Sequence, residues 1–155
     1  MKKEKSPAQS ASRSHRTRVL FVCVGNACRS PMAEAIAQYD AADVIEPSSA
    51  GLYPLGYIAD LTKQTLIKNG YSASGLSSDV LTKEAVEAAD LIINMTGKPG
   101  EHILRGQENV EDWLVEDPYG EDPETYQRVF KGIQRRVSRL ALSLREKRQS
   151  QEAAT

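Results

Sequence analysis

The sequence is poor in several kinds of residue, and each scarcity excludes a class of protein. It has two cysteines and two histidines in 155 residues. That is too few for a disulfide framework, and a structural zinc site would need about four ligands. The longest apolar run, residues 19–24, is far shorter than the roughly 20 residues that a membrane helix needs. We therefore expect a cytoplasmic protein with no bound metal and no contact with a membrane.

Charge is distributed unevenly, although the formal net charge is only −1. Residues 1–16 are basic, rich in serine and without an apolar stretch, which favours a disordered tail over a transit peptide. Residues 128–155 carry eight Lys or Arg and two acids. This stretch favours a solvated helix face on an acidic body over a nucleic-acid contact, because it lacks interleaved aromatic residues on which bases stack.

Strand-like and helical patterns alternate along the chain. Apolar and β-branched runs predict strands at residues 17–22, 44–50, 90–95 and 110–115. Helical periodicity and end signals predict helices at residues 30–43, 60–68, 82–89 and 124–148, the first capped by Ser30. This order predicts one α/β domain over residues 17–148, a doubly wound three-layer sandwich with a four-stranded parallel sheet. Residues 149–155 are expected to fray.

The turn after the first predicted strand reads CVGNACRS, from Cys23 to Ser30. In parallel sheets, ligands bind beyond the carboxyl ends of the strands. Backbone N–H groups and a helix N-terminus can converge there, and Gly25 and Asn26 tolerate the left-handed backbone that such a nest needs. Arg29 adds a planar fork that matches two oxygens of a tetrahedral anion. The turn therefore predicts an oxyanion site of phosphate size.

Cys23 lies at the base of this turn, where it would serve as a nucleophile. The positive field that holds an anion also favours a thiolate over a thiol, and Ser30 is close enough in sequence to donate to the sulfur. One short segment thus supplies both a nucleophile and a clamp for the transition state. Cys28 taken alone is explained as well by a small buried apolar residue. The turn lacks the GxxxxGK[ST] pattern of nucleotide P-loops.

Residues 22–31, VCVGNACRSP, resemble the signature loop of the low-molecular-weight protein tyrosine phosphatases. The resemblance continues in order through SAG at 49–51, ADLIINMT at 89–96 and EDPYG at 116–120, and it covers about residues 17–145. It implies a phosphotyrosine phosphatase I-like fold and no cofactor. By matching residue, Cys23 would form a phosphocysteine, Arg29 would bind the phosphate, and Asp117 would act as general acid and then base.

The resemblance also implies a set of residues around the substrate. Asn26 would hold the loop in shape, and Ser30 would stabilise the thiolate. Where many members carry a supporting histidine this chain has Gly75, so we expect Ser77 or Ser78 to support Asn26 instead. The expected substrate-binding residues are Val24, Gly25, Asn26, Ala27, Cys28, Ser30, Tyr53 and Tyr119.

Several functions stay open within this resemblance. We expect hydrolysis of phosphotyrosine in a phosphorylated protein partner, by a monomer or weak dimer. The DPYG sequence leaves a protein-arginine phosphatase as the alternative, and the small Ala27, where eukaryotic-type members usually have a larger branched residue, could widen or reshape the mouth of the site. Thioredoxin-coupled arsenate reductases resemble the same loop, but they relay oxidation through further cysteines, and Thr96 stands where one is expected. A non-catalytic phosphate-binding module would have no use for Cys23, Arg29 and Asp117 together. We also predict a reversible disulfide between Cys23 and Cys28, as some family members show.

Overall fold

The structure, a computed structural model, describes residues 16–154 as a sheet of four parallel strands with five helices. The strands are β1 (Thr17–Cys23), β2 (Ile45–Gly51), β3 (Leu91–Asn94) and β4 (Val110–Asp112). The helices are α1 (Arg29–Asp40), α2 (Asp60–Lys68), α3 (Lys83–Ala88), α4 (Gly100–Ile103) and α5 (Pro123–Ala154). The predicted α/β class with a four-stranded parallel sheet is confirmed. Within these residues, no helix combines the length and apolar character needed to cross a membrane.

The strand order β2-β1-β3-β4 puts β1 in the interior of the sheet. Cys23 is in register with Gly51 of β2, and its neighbour Val22 is in register with Asn94 of β3. Asn94 in turn pairs with Asp112 of β4. The carboxyl ends of all four strands therefore lie at one edge of the sheet, and the loop after β1 lies between those that follow its two neighbours.

Alternate side chains of β1 enter two separate cores. Val19, Phe21 and Cys23 belong to the larger core, which α1, α2 and α5 complete. Leu20 and Val22 belong to a smaller core on the other face, against which α3 and α4 pack. Because both faces of the sheet are covered, β1 is buried on both sides, as a central parallel strand should be. The predicted three-layer sandwich is confirmed.

Some element boundaries differ from the prediction for local reasons. Helix α1 begins at Arg29, one residue before the predicted start, and Ser30 does not cap it, because its hydroxyl is directed to the sulfur of Cys23. Helix α4 has only four residues, too few for a periodic pattern, and was not predicted. By contrast, Thr82 caps α3, since its hydroxyl accepts a hydrogen bond from the N–H of Ala85.

Both ends of the domain extend beyond the predicted boundaries. Helix α5 continues to Ala154 instead of ending at residue 148, because the segment that follows contains no Gly or Pro and is mostly good helix formers. Arg16, assigned to the tail, belongs to the fold, where it donates to the carbonyl of Ala42 and pairs with Glu46. The prediction of disorder for residues 1–15 lies outside the described residues.

Asp43 ties the C-terminal half of α5 to the loop after α1. Arg145 donates from Nε and Nη2 to the two carboxylate oxygens of Asp43, at 2.8 and 2.9 Å. These hydrogen bonds hold the pKa of Asp43 below its usual value. A carboxylate with a lowered folded pKa stabilises the fold above its unfolded pKa, and it loses that contribution as the pH falls through the folded value.

We therefore expect Asp43→Asn to destabilise the protein at pH 7 and to have little effect in strong acid. The pair is half exposed, so the loss in free energy of unfolding at pH 7 should be about 0.2–1 kcal/mol. Urea denaturation of both proteins at pH 7 and well below pH 3.8, the ordinary Asp value, measures it. Glu146→Gln, on the same helix, is the control. A difference that persists undiminished in strong acid would contradict the assignment.

Candidate active site

The turn between β1 and α1 is held in place by hydrogen bonds from residues 53–59 to its outward-facing carbonyl groups. The carbonyls of Val24, Gly25 and Ala27 accept hydrogen bonds from the N–H groups of Tyr53, Leu55 and Ala59, at 2.8, 3.0 and 3.2 Å. In a trans peptide the N–H points opposite to the carbonyl. The N–H groups that follow these carbonyls, at positions 25, 26 and 28, are therefore directed to the inside of the turn, as an anion-binding nest requires.

Asn26 fixes the shape of the turn. It has a φ of +48°, the left-handed backbone that the sequence predicted there. Its Oδ1 accepts from the N–H of Asp79, and its Nδ2 donates to the hydroxyls of Ser30 and Ser49, at 2.7 and 3.1 Å. The expected support from Ser77 or Ser78 is wrong: the hydroxyl of Ser77 donates to the carboxylate of Asp79, and that of Ser78 to the carbonyl of Gly25.

Two glycines allow neighbouring segments to approach the turn closely. Gly25 was expected to share the left-handed backbone, but its φ is not positive. A Cβ at Gly25 would instead lie 3.3 Å from Cγ of Leu55. A Cβ at Gly51 would lie 2.8 Å from the carbonyl oxygen of Val24 and 2.9 Å from the N of Asn26, closer than real Cβ atoms approach. The turn therefore packs on the bare backbone at the end of β2.

The sulfur of Cys23 is surrounded by hydrogen-bond donors. The side chain is 2% exposed, with Ser30 Oγ 3.0 Å and the Ser30 N 3.4 Å from Sγ. Asn26 Nδ2 can only donate, so Ser30 Oγ accepts from it and keeps its own proton for the sulfur. The sulfur also faces the first turn of α1, whose dipole favours negative charge. Both hydrogen bonds and the helix end therefore direct donors or positive charge at the sulfur.

A partly buried carboxylate ends this chain of hydrogen bonds. Ser49 accepts from Asn26 and donates to Oε1 of Glu34 at 2.5 Å. Burial raises the pKa of Glu34. Sequence analysis placed Ser49 only within a resemblance and gave Glu34 no role, because an acid in an early helical turn is the ordinary pattern. The parallel register of β1 and β2 places Ser49 behind the turn, and the packing of α1 against β2 brings Glu34 to it.

Arg29 is oriented by backbone carbonyls in the segments that follow β3 and β4. Its side chain is 5% exposed, and Nη1 donates to the carbonyl of Met95 at 2.7 Å and to that of Val115 at 3.3 Å. Its Nη2 lies 3.4 Å from Oδ2 of Asp117. Its Nε is buried and has no hydrogen-bond partner among residues 16–154. An unsatisfied buried donor is costly unless a ligand accepts from it, so Nε is a candidate contact for a bound oxyanion.

Asp117 reaches the same site from the loop after β4. Its Oδ1 accepts from the N–H of Tyr119 at 3.1 Å, an Asx-type turn, which leaves Oδ2 facing Arg29. The carboxylate is 55% exposed, so solvent and substrate can both reach it. A rigid turn thus holds an acid beside the residue that would bind the phosphate.

These groups line one pocket of about 310 Å³. Nine of the eleven predicted site residues line it: Cys23, Val24, Gly25, Ala27, Cys28, Arg29, Tyr53, Asp117 and Tyr119. The other two, Asn26 and Ser30, lie buried behind the turn and support it. Two further residues at the pocket were not predicted: Leu55, which also lines it, and Tyr57, whose hydroxyl is 2.6 Å from that of Tyr119. Neither of these loop residues has a sequence pattern that marks it.

The match to a family model agrees with this geometry. The family described as low molecular weight phosphotyrosine protein phosphatase matches residues 18–150. The chain belongs to this family. The resemblance inferred from the signature loop is therefore confirmed, and with it the prediction of an enzyme of this phosphatase family.

Relatives within the low molecular weight phosphatase family carry three different activities in their names. The glutaredoxin arsenate reductase of Synechocystis sp. is 32% identical over 127 residues, 79% of this chain and 95% of that protein. EpsP of Ralstonia solanacearum, a probable low molecular weight protein-tyrosine-phosphatase, is 32% identical over 133 residues, 77% of this chain and 90% of that protein. The YwlE arginine phosphatase from Geobacillus stearothermophilus aligns with a TM-score of 0.78 at 27% identity, covering 86% of this chain and 96% of that one.

Cys28 differs from Cys23 in the surroundings of its sulfur. Burial raises the pKa of Cys28, whose Sγ lies 3.4 Å from the hydroxyl of Tyr126. It is therefore a thiol at neutral pH and a poor nucleophile. Both cysteines are free in the structure. The reversible disulfide between them stays a prediction.

Proposed function

We propose that the protein hydrolyses phosphotyrosine in proteins through a phosphocysteine intermediate on Cys23. One observation carries this proposal: a nucleophile, an oxyanion ligand and an acid line a single pocket, at Cys23, Arg29 and Asp117. The inward N–H groups of the turn and the free Nε of Arg29 supply donors for the phosphate oxygens. These donors are fixed before substrate binds, which is the condition for effective electrostatic stabilisation of a transition state.

In the first step the Cys23 thiolate attacks phosphorus in line with the leaving oxygen. A P–S bond forms, and the P–O bond to the tyrosine ring breaks with its electron pair on oxygen. Asp117, protonated for this step, gives its proton to that oxygen, so a neutral phenol leaves. The turn and Arg29 bind the three remaining phosphoryl oxygens throughout.

In the second step water attacks the phosphocysteine. Asp117, now a carboxylate, takes a proton from the water, and the P–S bond breaks with its electrons on sulfur. Ser30 Oγ, 3.0 Å from Sγ, donates to the thiolate as it leaves. Inorganic phosphate departs, and Cys23 is ready for the next substrate.

The lining of the pocket favours an aryl phosphate. Tyr53, Leu55 and Tyr119 form a partly apolar rim around the mouth, and all three are exposed. A phenol ring can pack between such side chains, with its phosphate on the turn. Within the described part of the chain, residues 16–154, the one acidic residue lining the pocket is Asp117, which already faces Arg29. A cationic guanidinium would therefore gain less from this mouth than an uncharged ring.

Phosphoarginine is the second candidate substrate. Ala27 lines the pocket, and its small side chain leaves room beside the nucleophile for the guanidinium group of phosphoarginine. The same three residues could cleave a P–N bond, and the arginine phosphatase named above has a similar fold. Arsenate reduction through a relay of cysteines within this chain has weaker support, because Thr96 is buried and hydrogen-bonded to Asn94 where a relay cysteine would be expected.

A substrate panel tests the proposal. We expect kcat/KM to be highest for a phosphotyrosine peptide, about tenfold or more above the phosphoarginine and phosphoserine peptides of the same flanking sequence. Arsenate turnover should be measured beside it with thioredoxin and with glutaredoxin. Cys23→Ser serves as the blank for contaminating activity. A preference for phosphoarginine, or arsenate turnover faster than ester hydrolysis, would overturn the assignment.

A further inference from the structure

A second hollow lies behind the segment that carries Asp117. It has a volume of about 490 Å³, and four arginines of α5 line it: Arg128, Arg135, Arg136 and Arg139. The facing wall is residues 114–116, in which Glu116 is the one acidic lining residue. We call this hollow the arginine groove.

The sequence of α5 builds the groove. Counted from Arg128, the other three arginines follow after seven, eight and eleven residues. All four therefore share one face of the helix, along about 16 Å of its length. Gly132 lies between Arg128 and Arg136 on this face, and it leaves the floor without a side chain. A Cβ there would meet only the Nη2 of Arg135, at 3.9 Å. The concavity therefore depends on this glycine.

The positive charge of the groove is only partly balanced. Arg128 pairs with Glu116 at 3.0 Å. Arg136 donates to the carbonyl of Leu114 and lies over the ring of Trp113, 5.7 Å from its centroid. Arg135 and Arg139 make no ion pair or hydrogen bond with any residue from 16 to 154.

The acid in an adjoining hollow forms no ion pair with Arg135 or Arg139. Asp40 lines an adjoining hollow with Arg135 and Arg139. Its carboxylate accepts a hydrogen bond from the hydroxyl of Tyr71 at 2.5 Å. Two exposed guanidinium groups therefore remain available to a bound anion.

We propose that the arginine groove binds a second phosphate group on the protein substrate, and so acts as an exosite of the enzyme. Planar guanidinium forks match the oxygens of a phosphate monoester, and several around one concavity bind a dianion well. No aromatic side chain from residues 16–154 lines the groove, so this part of the chain offers stacked bases no surface there. This inference rests on the proposed function, because it assumes a phosphorylated protein in the catalytic pocket.

The two sites are close enough for one peptide to reach both. Val115 and Glu116 line the groove, and the next residue, Asp117, lines the catalytic pocket. The sites thus flank one backbone segment, on the order of 10–15 Å apart. An extended peptide covers ~3.3 Å per residue, so a second phosphate about three to five residues from the phosphotyrosine would reach the groove. A contact of this kind adds binding energy in both the ground state and the transition state, so it should lower KM and leave kcat nearly unchanged.

Two peptides that share one sequence and differ only in phosphorylation test the exosite. One carries phosphotyrosine alone, and the other also carries phosphoserine four residues away. With the wild-type enzyme we expect KM to be about tenfold lower for the doubly phosphorylated peptide, with kcat changed less than twofold. Arg135→Ala combined with Arg139→Ala should abolish this gain and leave the kinetics of the singly phosphorylated peptide unaltered. Equal KM values in the wild type, or a gain that survives in the double variant, would overturn the proposal.

Two further variants separate a specific contact from general attraction. Arg105→Ala combined with Lys147→Ala removes the same charge from exposed positions outside the groove, and the gain should persist. Gly132→Leu fills the floor without changing charge, and the gain should disappear. Loss of the gain in the charge control, or its survival in Gly132→Leu, would show that the groove itself is not the binding site.

Binding to the inactive Cys23→Ser variant tells the possible failures apart. Pyrophosphate should perturb the NMR signals of Arg135 and Arg139 side chains, whether or not the proposed catalytic activity is correct. If it does so while no phosphotyrosine peptide is hydrolysed, the proposed function fails and an anion site stands. If pyrophosphate or a single-stranded oligonucleotide binds there and the doubly phosphorylated peptide gains nothing, the exosite for substrate is overturned.

Discussion

Cys23→Ser is expected to hydrolyse phosphate esters at about 10⁻⁴ of the wild-type rate or less, while it still binds oxyanions. Both hydrogen bonds to Sγ that the structure shows within residues 16–154 come from donors, Ser30 Oγ and the Ser30 N. Donors stabilise a thiolate, but a serine hydroxyl needs a base to remove its proton, and no base lies within hydrogen-bond distance of this atom among residues 16–154. The variant therefore loses its nucleophile and keeps the nest of N–H groups and Arg29.

Two measurements on this variant separate chemistry from binding. Turnover of p-nitrophenyl phosphate reports the nucleophile, and titration with vanadate or sulfate reports the oxyanion site. Cys28→Ser is the matched comparison, because burial raises the pKa of Cys28 and a thiol there cannot replace a thiolate. It should retain readily measurable turnover. Substantial activity in Cys23→Ser, or loss of all oxyanion affinity in a variant with unchanged circular dichroism, would contradict the mechanism.

The part of the site that sequence predicted is the part built by one continuous segment. A buried strand, a turn with a left-handed Asn26 and a helix N-terminus are all local structures, and together they position Cys23 and Arg29. Local rules fail at Ser30 for a functional reason: its hydroxyl would cap an ordinary helix, but here it donates to the sulfur, and the helix begins one residue earlier without a side-chain cap. Departures of this kind are expected at sites under functional demand.

The parts that sequence could not predict depend on contacts between distant segments. Asn26 is held by Ser49 and Asp79, which are 23 and 53 residues away, and the register of β1 with β2 decides which side chains meet behind the turn. Asp117 has a sequence typical of a turn, and only the fold shows its carboxylate beside Arg29. The arginines of α5 were visible as a basic helical face, but their groove needs the wall from residues 114–116.

Asp117→Asn is expected to reduce catalysis according to how much the leaving group needs a proton. The phenol of tyrosine has a pKa of about 10, so its oxygen leaves poorly as an anion. Without the acid, kcat/KM for a phosphotyrosine peptide should fall about 10²–10³-fold, the range of general acid catalysis. For p-nitrophenyl phosphate, whose phenolate is far more stable, the loss should be tenfold or less. Because kcat/KM reports the steps up to formation of the phosphocysteine, slower hydrolysis of that intermediate does not obscure the comparison.

The same variant should reveal the second role of Asp117 before the steady state. With p-nitrophenyl phosphate the first step stays fast, but water now attacks without a base, so nitrophenol should appear in a burst close to one equivalent of enzyme. Glu121→Gln, four residues away and exposed, is the control and should show neither the burst nor the substrate-dependent loss. Equal losses in kcat/KM on both substrates would mean that Asp117 acts only by positioning Arg29, from which it is 3.4 Å away, and another group would have to supply the proton.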